Sequence, residues 1–419
     1  MPVPAHLPAT LTVCLWDFSW YTRTGPGEPF EDLDAAFAEA VQRGYNTVRI
    51  CAMPYLLFGS GLDTTALTFA PLGGGFGLGT RWYDVRQTAV LDGREHLIAL
   101  FEAARRHDCY VIVSSWEYQQ SPCFVTDPGW NDALLAVSPA DRPAALAAAL
   151  AELVAYVQQR GLDDRIAYVE LHNEVQYSKL TEAVEDGGDP VGGLRSLLEA
   201  AIEDFRSRHP HMPVAANYAA VPVGGMRGLV GNGDVAAFHL YAYGVLGQLV
   251  DEFALRDPSR PFPQERAFAE LLRPDAPKLD DWTLPAESAW RGEATIMHRR
   301  EVYVHDWCDP SAWDRWLYER YSDHRRAMRA KLDLWLDAAA DWAAERTLPL
   351  VLGEGWVGYT PLNATFEEGP VGAQICTHMV TRAAELSAWG TVVCSNAAPH
   401  HPMWADVGLQ RRLNDQFTR

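Results

Sequence analysis

The 419-residue chain carries 35 Lys and Arg against 55 Asp and Glu, which gives a formal net charge of −20 at pH 7. Hydrophobic residues make up 48% of the sequence and charged residues 21%, a balance that is typical of folded globular proteins and excludes disorder or a collagen-like repeat. A negative field of this size repels phosphate backbones and anionic lipid headgroups, so we expect no nucleic-acid and no membrane partner.

The seven cysteines include no C-x-x-C pair, and several lie inside apolar, strand-like segments. They therefore predict buried free thiols rather than a disulfide or zinc framework. Residues 1–10 lack a basic segment followed by an apolar stretch, and no segment approaches the ~20 apolar residues of a membrane span. We expect a cytoplasmic protein without a cofactor; the sequence leaves a homo-oligomer open.

Short β-rich segments alternate with longer helical segments along most of the chain, which indicates βα units and a parallel sheet. Eight strands are predicted, at residues 11–17, 46–52, 109–115, 165–171, 214–217, 235–240, 349–353 and 391–395. Helices are predicted at residues 31–43, 94–107, 141–160, 193–209, 321–345 and 372–389. No G-x-G-x-x-G follows the first strand, so this pattern favours an α/β fold of the (β/α)8 TIM barrel type, forming a single domain over residues 1–419.

Two long insertions are predicted, at residues 53–93 after the second strand and at residues 243–318 after the sixth. Each follows a strand and precedes a helix, so both belong to the catalytic face of a barrel. The glycines between residues 73 and 79 favour a flexible loop over a phosphate cradle. The second insertion is rich in tryptophan, which indicates either a lid packed around its own rings or rings that stack on a sugar.

Polar clusters end two of the predicted strands. The apolar fourth strand turns abruptly into Glu170-Leu171-His172-Asn173-Glu174, and the seventh strand ends in Gly353-Glu354-Gly355. Polar groups at the carboxyl end of a barrel strand are typical of catalytic rather than structural positions. Each glutamate alone would also fit a salt bridge at a strand end.

The fourth and seventh strands lie on opposite sides of a ring of eight, so Glu174 and Glu354 are expected to face one pocket. Two carboxylates that flank a small substrate are what glycosidic bond cleavage requires, since one donates a proton to the leaving oxygen and the other attacks or activates water. A separation near ~5–5.5 Å would make the reaction retaining.

Arg49 lies inside the apolar second strand, where an unpaired charge would be costly. We expect it to pair with Glu354, which would keep that carboxylate ionised as a nucleophile. His239 and Tyr241 lie two residues apart and hence on one face of the sixth strand. Tyr241 could donate a hydrogen bond to Glu354, and His239 could contact sugar or Tyr241 or be a core histidine.

Further residues near strand ends are candidates for substrate binding. Trp404 could be a platform under the bound sugar or an ordinary packing tryptophan. The remaining candidates are Trp16, Asp17, Trp116 and Glu117. His400-His401 with Asp406, and His305 with Asp306 and Cys308, lack the spacing of known metal sites, so no metal is predicted.

These residues together resemble the cellulase-like (β/α)8 glycoside hydrolases, glycoside hydrolase family 5 and its clan. The resemblance extends over nearly the whole chain and also includes divergent cellulase-like proteins described as sugar-binding. It is carried by Arg49, Asn173-Glu174, His239-x-Tyr241, Glu354 and a tryptophan after the eighth strand. It implies that Glu174 is the acid/base, that Glu354 is the nucleophile and that Asn173 holds the sugar 2-hydroxyl.

The resulting hypothesis is a retaining glycoside hydrolase that acts by double displacement on β-linked oligosaccharides or glycosides. Polymers do not enter the cytoplasm, so exo-action is favoured, with the two insertions closing a groove into a pocket. A non-catalytic sugar-binding barrel and a secreted endo-β-glucanase are the alternatives.

Overall fold

A parallel barrel forms the centre of the protein, which a computed structural model describes from residue 3 to residue 419. Its strands are β1 Leu11–Asp17, β2 Thr47–Cys51, β3 Tyr110–Ser114, β4 Ile166–Glu170, β5 in two pieces Val214–Ala215 and Asn217–Ala219, β6 Ala236–Tyr241, β7 Leu350–Trp356 and β8 Gly390–Val392. β1 pairs with both β2 and β8, while the first piece of β5 pairs with β4 and the second with β6. The ring is therefore nearly closed, with its strand pairing interrupted between the two pieces of β5, and the predicted (β/α)8 barrel is confirmed.

Helices surround the barrel. The longer ones are Leu33–Gln42, Gly93–Arg106, Arg142–Gln159, Pro190–Arg208, Pro310–Glu345, Pro370–Glu385 and Val407–Phe417. Shorter helices are Ser19–Thr22, Gly129–Ala136, Val245–Glu252, Gln264–Glu270, Ala289–Glu293 and Arg299–Trp307. No single helix of residues 3–419 is long and apolar enough to cross a membrane; only a bent pair, Gly129–Ala136 with Pro139–Gln159, passes by length and composition.

The long helix before β7 starts earlier than predicted, and this shortens the second insertion. It begins at Pro310 rather than at residue 321, with the Asp309 side chain accepting a hydrogen bond from the Ser311 N–H. An Asp cap followed by proline is a strong helix start. The sequence analysis placed Trp313 and Trp316 in the second insertion, but both belong to this helix. The helix Val407–Phe417 was not predicted.

Two strands change register next to the site. The pairing of β1 with β2 shifts between Leu15 and Asp17, and the pairing of β7 with β6 shifts between Leu352 and Glu354. Such bulges re-aim side chains. At the β7 bulge, a Cβ atom on Gly353 would lie 3.0 Å from the His239 Nε2, so the glycine lets the histidine approach the strand.

The two insertions are packed against each other. The first contains an antiparallel hairpin of Leu67–Phe69 and Ala89–Leu91. Its glycine-rich loop surrounds a carboxylate of the second insertion, because the Gly77 and Gly79 N–H groups each donate to Asp306 at 2.6 Å. Backbone N–H groups of such a loop make an anion-binding concavity, and here a side chain of the protein fills it.

The tryptophans predicted for the second insertion serve packing. Trp282 stacks on Phe76 with ring centroids 4.4 Å apart, and Trp313 meets His305 edge to face. Trp316 packs against Phe253. Within the described chain, none of the five tryptophans Trp282, Trp290, Trp307, Trp313 and Trp316 lines the central cavity described below.

Arg291 ties the second insertion to two other segments of the protein. Its buried guanidinium donates to the backbone carbonyls of Ala70, Pro71, Cys123 and Phe124. Replacing Arg291 by Ala leaves these acceptors without their donor, so we expect it to lower the free energy of unfolding by roughly 2–4 kcal/mol. Thermal unfolding measured by circular dichroism checks this.

Arg260→Ala is the matched control, because Arg260 lies in the same insertion and pairs with Asp251 at the surface. Exposed pairs contribute about 0–1 kcal/mol, so this variant should unfold near the wild-type temperature. Equal melting temperatures for the two variants would contradict the assignment of Arg291 as the tie.

Candidate active site

A cavity of about 580 Å³ opens at the carboxyl ends of the barrel strands. Its wall combines residues from the strand ends, from both insertions and from the long helix before β7. These are Leu15, Asp17, Phe18, Trp82, Tyr83, Trp116, Gln119, Gln120, Asn173, Glu174, Tyr177, Ala219, Ala220, Tyr241, Tyr243, Arg256, Ile296, Met297, His298, Lys331, Trp335, Glu354 and Tyr359. Mixed aromatic and polar walls of this kind are typical of small-molecule sites.

The structure brings Glu174 and Glu354 together in this cavity. One carboxylate oxygen of each lies within 4.8 Å of the other and of a ring nitrogen of His239. The side chains of Glu174 and Glu354 are 14% and 9% exposed, so each reaches the cavity from an otherwise buried position. Glu174 has a φ of 44°, a left-handed conformation that costs energy in a non-glycine residue and is characteristic of functional positions.

Arg49 is fully buried and connects Glu354 with Glu170 and Asn173. Its Nη1 donates to Glu354 Oε1 at 2.8 Å, its Nη2 donates to Glu170 Oε2 at 2.6 Å, and Nη2 also donates to Asn173 Oδ1 at 2.7 Å. The expected pair of Arg49 with Glu354 is therefore present, and Glu170 is a second partner. Burial opposes ionisation of Glu170, but the Arg49 charge outweighs burial and holds the pKa of that carboxyl below its usual value.

Glu354 also accepts a hydrogen bond from β6, as predicted. The Tyr241 hydroxyl donates to Glu354 Oε2 at 2.7 Å and lies 2.6 Å from the Ser395 Oγ. The Ser395 Oγ in turn accepts the Gly355 N–H at 3.0 Å. With one donor on each of its oxygens, the Glu354 carboxyl group is held in a fixed orientation.

His239 supports the other carboxylate. Its Nδ1 lies 2.9 Å from Glu174 Oε1, and its Nε2 lies 2.9 Å from the amide nitrogen of Asn217. An amide nitrogen only donates, so we assign the proton of a neutral ring to Nδ1, which then donates to Glu174. Burial lowers the pKa of His239 to about 4, which agrees with a neutral ring.

Two carboxyls of the cavity wall are perturbed toward the protonated form. Burial raises the pKa of Glu174 to about 7, against hydrogen bonding from Gln119 and the charge of Arg49. Burial likewise raises the pKa of Asp17 to about 8, although its Oδ1 accepts the N–H and the hydroxyl of Ser19 at 2.7 and 2.6 Å. A carboxyl that is protonated near neutral pH can serve as a general acid.

Glu174, His239 and Glu354 have a spacing that could also hold a metal ion. The Arg49 guanidinium, which contacts Glu354, already supplies a positive charge at that point. His239 would have to release Asn217 or Glu174 to bind an ion. We therefore interpret the three residues as a hydrogen-bonded set, and the absence of a metal stays a prediction.

Several predicted site residues do not line the cavity. Side chains alternate along a strand, so Leu15 and Asp17 face inward while Trp16 points outward and packs on Phe30 and Phe37. Trp404 is not a sugar platform, because it packs under the Arg43 guanidinium at 4.0 Å and donates its indole N–H to Glu39.

Glu117 likewise faces away from the cavity. Its carboxylate accepts the N–H groups of Tyr55 and Leu56 at 3.1 and 2.7 Å, so it stabilises the start of the first insertion. Arg49 and His239 are 0% exposed and lie behind the wall, where they contact carboxylates rather than substrate. Asp17, Trp116, Asn173 and Tyr241 do line the cavity.

Two supporting residues were missed by the sequence analysis. Asn217 contacts His239 and accepts the Glu174 N–H at 3.0 Å, and it ends the predicted fifth strand, a position that could have identified it. Gln119 donates to Glu174 Oε2 at 3.3 Å and accepts from the Asn173 amide at 2.7 Å. It lies in the loop after β3, and no local pattern distinguishes it from its neighbours.

Known proteins share the family pattern of one segment and the overall fold. A family model described as "Sugar-binding cellulase-like" matches residues 13–71. A crystal structure from Parabacteroides distasonis, described as a candidate glycoside hydrolase, superposes with a TM-score of 0.68 at 18% identity, covering 98% of this chain and 93% of that one.

Two further solved structures are similar over much of the chain. The endo-β-1,4-mannanase from Thermotoga petrophila has a TM-score of 0.47 at 13% identity, covering 98% of this chain and 77% of that one. A family 5 mannosidase from Rhizomucor miehei has a TM-score of 0.45 at 11% identity, covering 98% and 93%. None of the curated protein sequences matches. The chain thus shares its fold with the Parabacteroides protein, and its residues 13–71 are similar to the sugar-binding cellulase-like family.

Proposed function

We propose that the protein is a retaining glycoside hydrolase that cleaves β-linked glycosides or short oligosaccharides. The observation that carries this proposal is the separation of the Glu174 and Glu354 carboxylates, whose nearest oxygens lie within 4.8 Å across one cavity. Retaining enzymes hold their two carboxyls ≈ 5–5.5 Å apart, whereas inverting enzymes need room for a water molecule between carboxyl and substrate.

The environments of the two carboxyls support different roles. Glu354 receives hydrogen bonds from Arg49 and Tyr241, which stabilise the anion needed for attack on the anomeric carbon. Glu174 has its pKa raised to about 7 by burial, so it can hold the proton that passes to the leaving oxygen. After the leaving group departs, Glu174 takes a proton from water as the water displaces Glu354 from the sugar.

Exo-action on small substrates is part of the proposal. Both insertions contribute to the cavity wall, with Trp82 and Tyr83 from the first and residues 296–298 from the second. Walls on more than one side favour a pocket over an open groove. All seven cysteines are free and buried, which favours a reducing compartment such as the cytoplasm.

The first test replaces each glutamate by Ala and adds azide, after a panel of aryl glycosides has identified a substrate. We expect Glu354→Ala to lower kcat by roughly a thousandfold or more, because the nucleophile is lost. Azide should restore turnover and give a glycosyl azide of inverted configuration. Glu174→Ala with azide should give the retained configuration, since Glu354 still forms the glycosyl-enzyme. Product configuration is read by NMR.

Glu117→Ala is the control, because Glu117 is an equally buried glutamate that does not line the cavity. It should give no glycosyl azide. A wild-type protein that binds sugars without hydrolysing any glycoside would support the sugar-binding barrel instead. Internal cleavage of long β-glucans would support an endo-glucanase.

The pH dependence tests the role of Glu174. The acid must be protonated, so kcat/KM for glycosides with poor leaving groups should be full below the Glu174 pKa of about 7 and fall as pH rises through it. A 2,4-dinitrophenyl glycoside needs no protonation of its leaving group and should lack this decline. In Glu174→Gln the decline should vanish for every substrate; if it persists, another group is responsible.

A further inference from the structure

Beside the polar Gln119, which bonds to Glu174, the cavity wall has an apolar patch. It is formed by Tyr177, Ala219, Ala220, Ile296 and Met297, all of which line the cavity. Tyr177 is 59% exposed and Ile296 is 39% exposed, which places both among the few large hydrophobic side chains left open to solvent in residues 3–419. Exposed apolar residues that gather at a cavity mouth indicate a binding surface.

Hydrogen bonds hold these residues around the acid. The Tyr177 N–H donates to the Glu174 carbonyl at 2.8 Å, one turn after the glutamate. The Gln176 side chain exchanges hydrogen bonds with the backbone of Ala219, which fixes this turn against β5. The segment that carries Ile296 is tied to the same loop, because the Lys179 Nζ donates to the Glu293 carbonyl at 3.3 Å.

The position of the acid decides which part of a substrate meets this surface. A general acid lies beside the bond that it protonates, so the leaving group occupies the Glu174 side of the cavity. Hydroxyl-rich leaving groups require hydrogen-bonding partners, whereas Tyr177, Ile296 and Met297 offer mainly apolar atoms. Asn173 and Gln119 are already engaged, since Asn173 bonds to both Arg49 and Gln119, and Gln119 also bonds to Glu174.

We propose that the aglycone of the substrate is apolar, so that the protein acts on alkyl or aryl glycosides in preference to sugar–sugar linkages. This inference rests on the proposed hydrolase function and assigns Tyr177 and Ile296 as residues that determine aglycone specificity. Burial of an alkyl or aryl group against them removes apolar surface from water on both partners.

A series of alkyl β-glycosides from methyl to octyl tests the proposal, with the glycone that the aryl glycoside panel identifies. The alcohols differ little in acidity, so the series isolates binding from bond cleavage. We expect kcat/KM to rise by roughly two- to fourfold per added methylene over the first several carbons. The disaccharide with the same glycone should be the poorer substrate.

Tyr177→Ser and Ile296→Ser should flatten this dependence of kcat/KM on chain length. Leu135→Ser is the matched control, because Leu135 is 43% exposed but does not line the cavity, and it should keep the wild-type slope. Circular dichroism establishes that each variant is folded.

The outcomes separate this inference from the function beneath it. The apolar aglycone is overturned if kcat/KM does not change along the alkyl series. It is also overturned if the disaccharide has a higher kcat/KM than the octyl glycoside and loses this difference in Tyr177→Ser. Hydrolysis that depends on Glu354 is unaffected by either result. If no glycoside is hydrolysed, or if hydrolysis does not require Glu354, the proposed function is wrong, and the aglycone assignment is wrong with it.

Discussion

The buried guanidinium of Arg49 is the constraint on which the site depends. A fixed positive charge in the barrel interior is stable only where anions surround it, and here Glu170 and Glu354 meet it from β4 and β7. Because the guanidinium is planar and has several N–H groups, it also orients Asn173. One side chain on β2 therefore fixes the positions of groups from two other strands.

Local irregularities in the barrel determine which side chains reach the cavity. The bulge at Gly353 lets Glu354 lie beside His239 in the strand pairing, and a larger residue there would displace the histidine. With regular pairing, Glu354 would not lie beside His239. A shift of one residue moves the side chains of a strand to the opposite face of the sheet.

The two carboxyls differ because their neighbours differ. Glu354 contacts a permanent cation and a phenol, whereas Glu174 contacts a neutral imidazole and an amide. Asn217 fixes the tautomer of that imidazole from β5. Two residues of one type thereby lie in different electrostatic environments, as the proposed mechanism requires of its acid and its nucleophile.

The amino-acid sequence by itself determined the barrel, the location of Glu174 and Glu354 near the carboxyl ends of two strands, and the pairing of Arg49 with Glu354. These follow from local rules, because apolar strands that end in carboxylates and a charge inside an apolar strand are visible in a few residues. Tertiary structure alone decided that Trp404 packs under Arg43, that Glu117 caps the first insertion, and that Gln119 and Tyr177 reach the cavity. Such positions depend on how loops from distant parts of the chain fold back over the barrel, and the backbone path of a loop leaves no periodic pattern in the sequence.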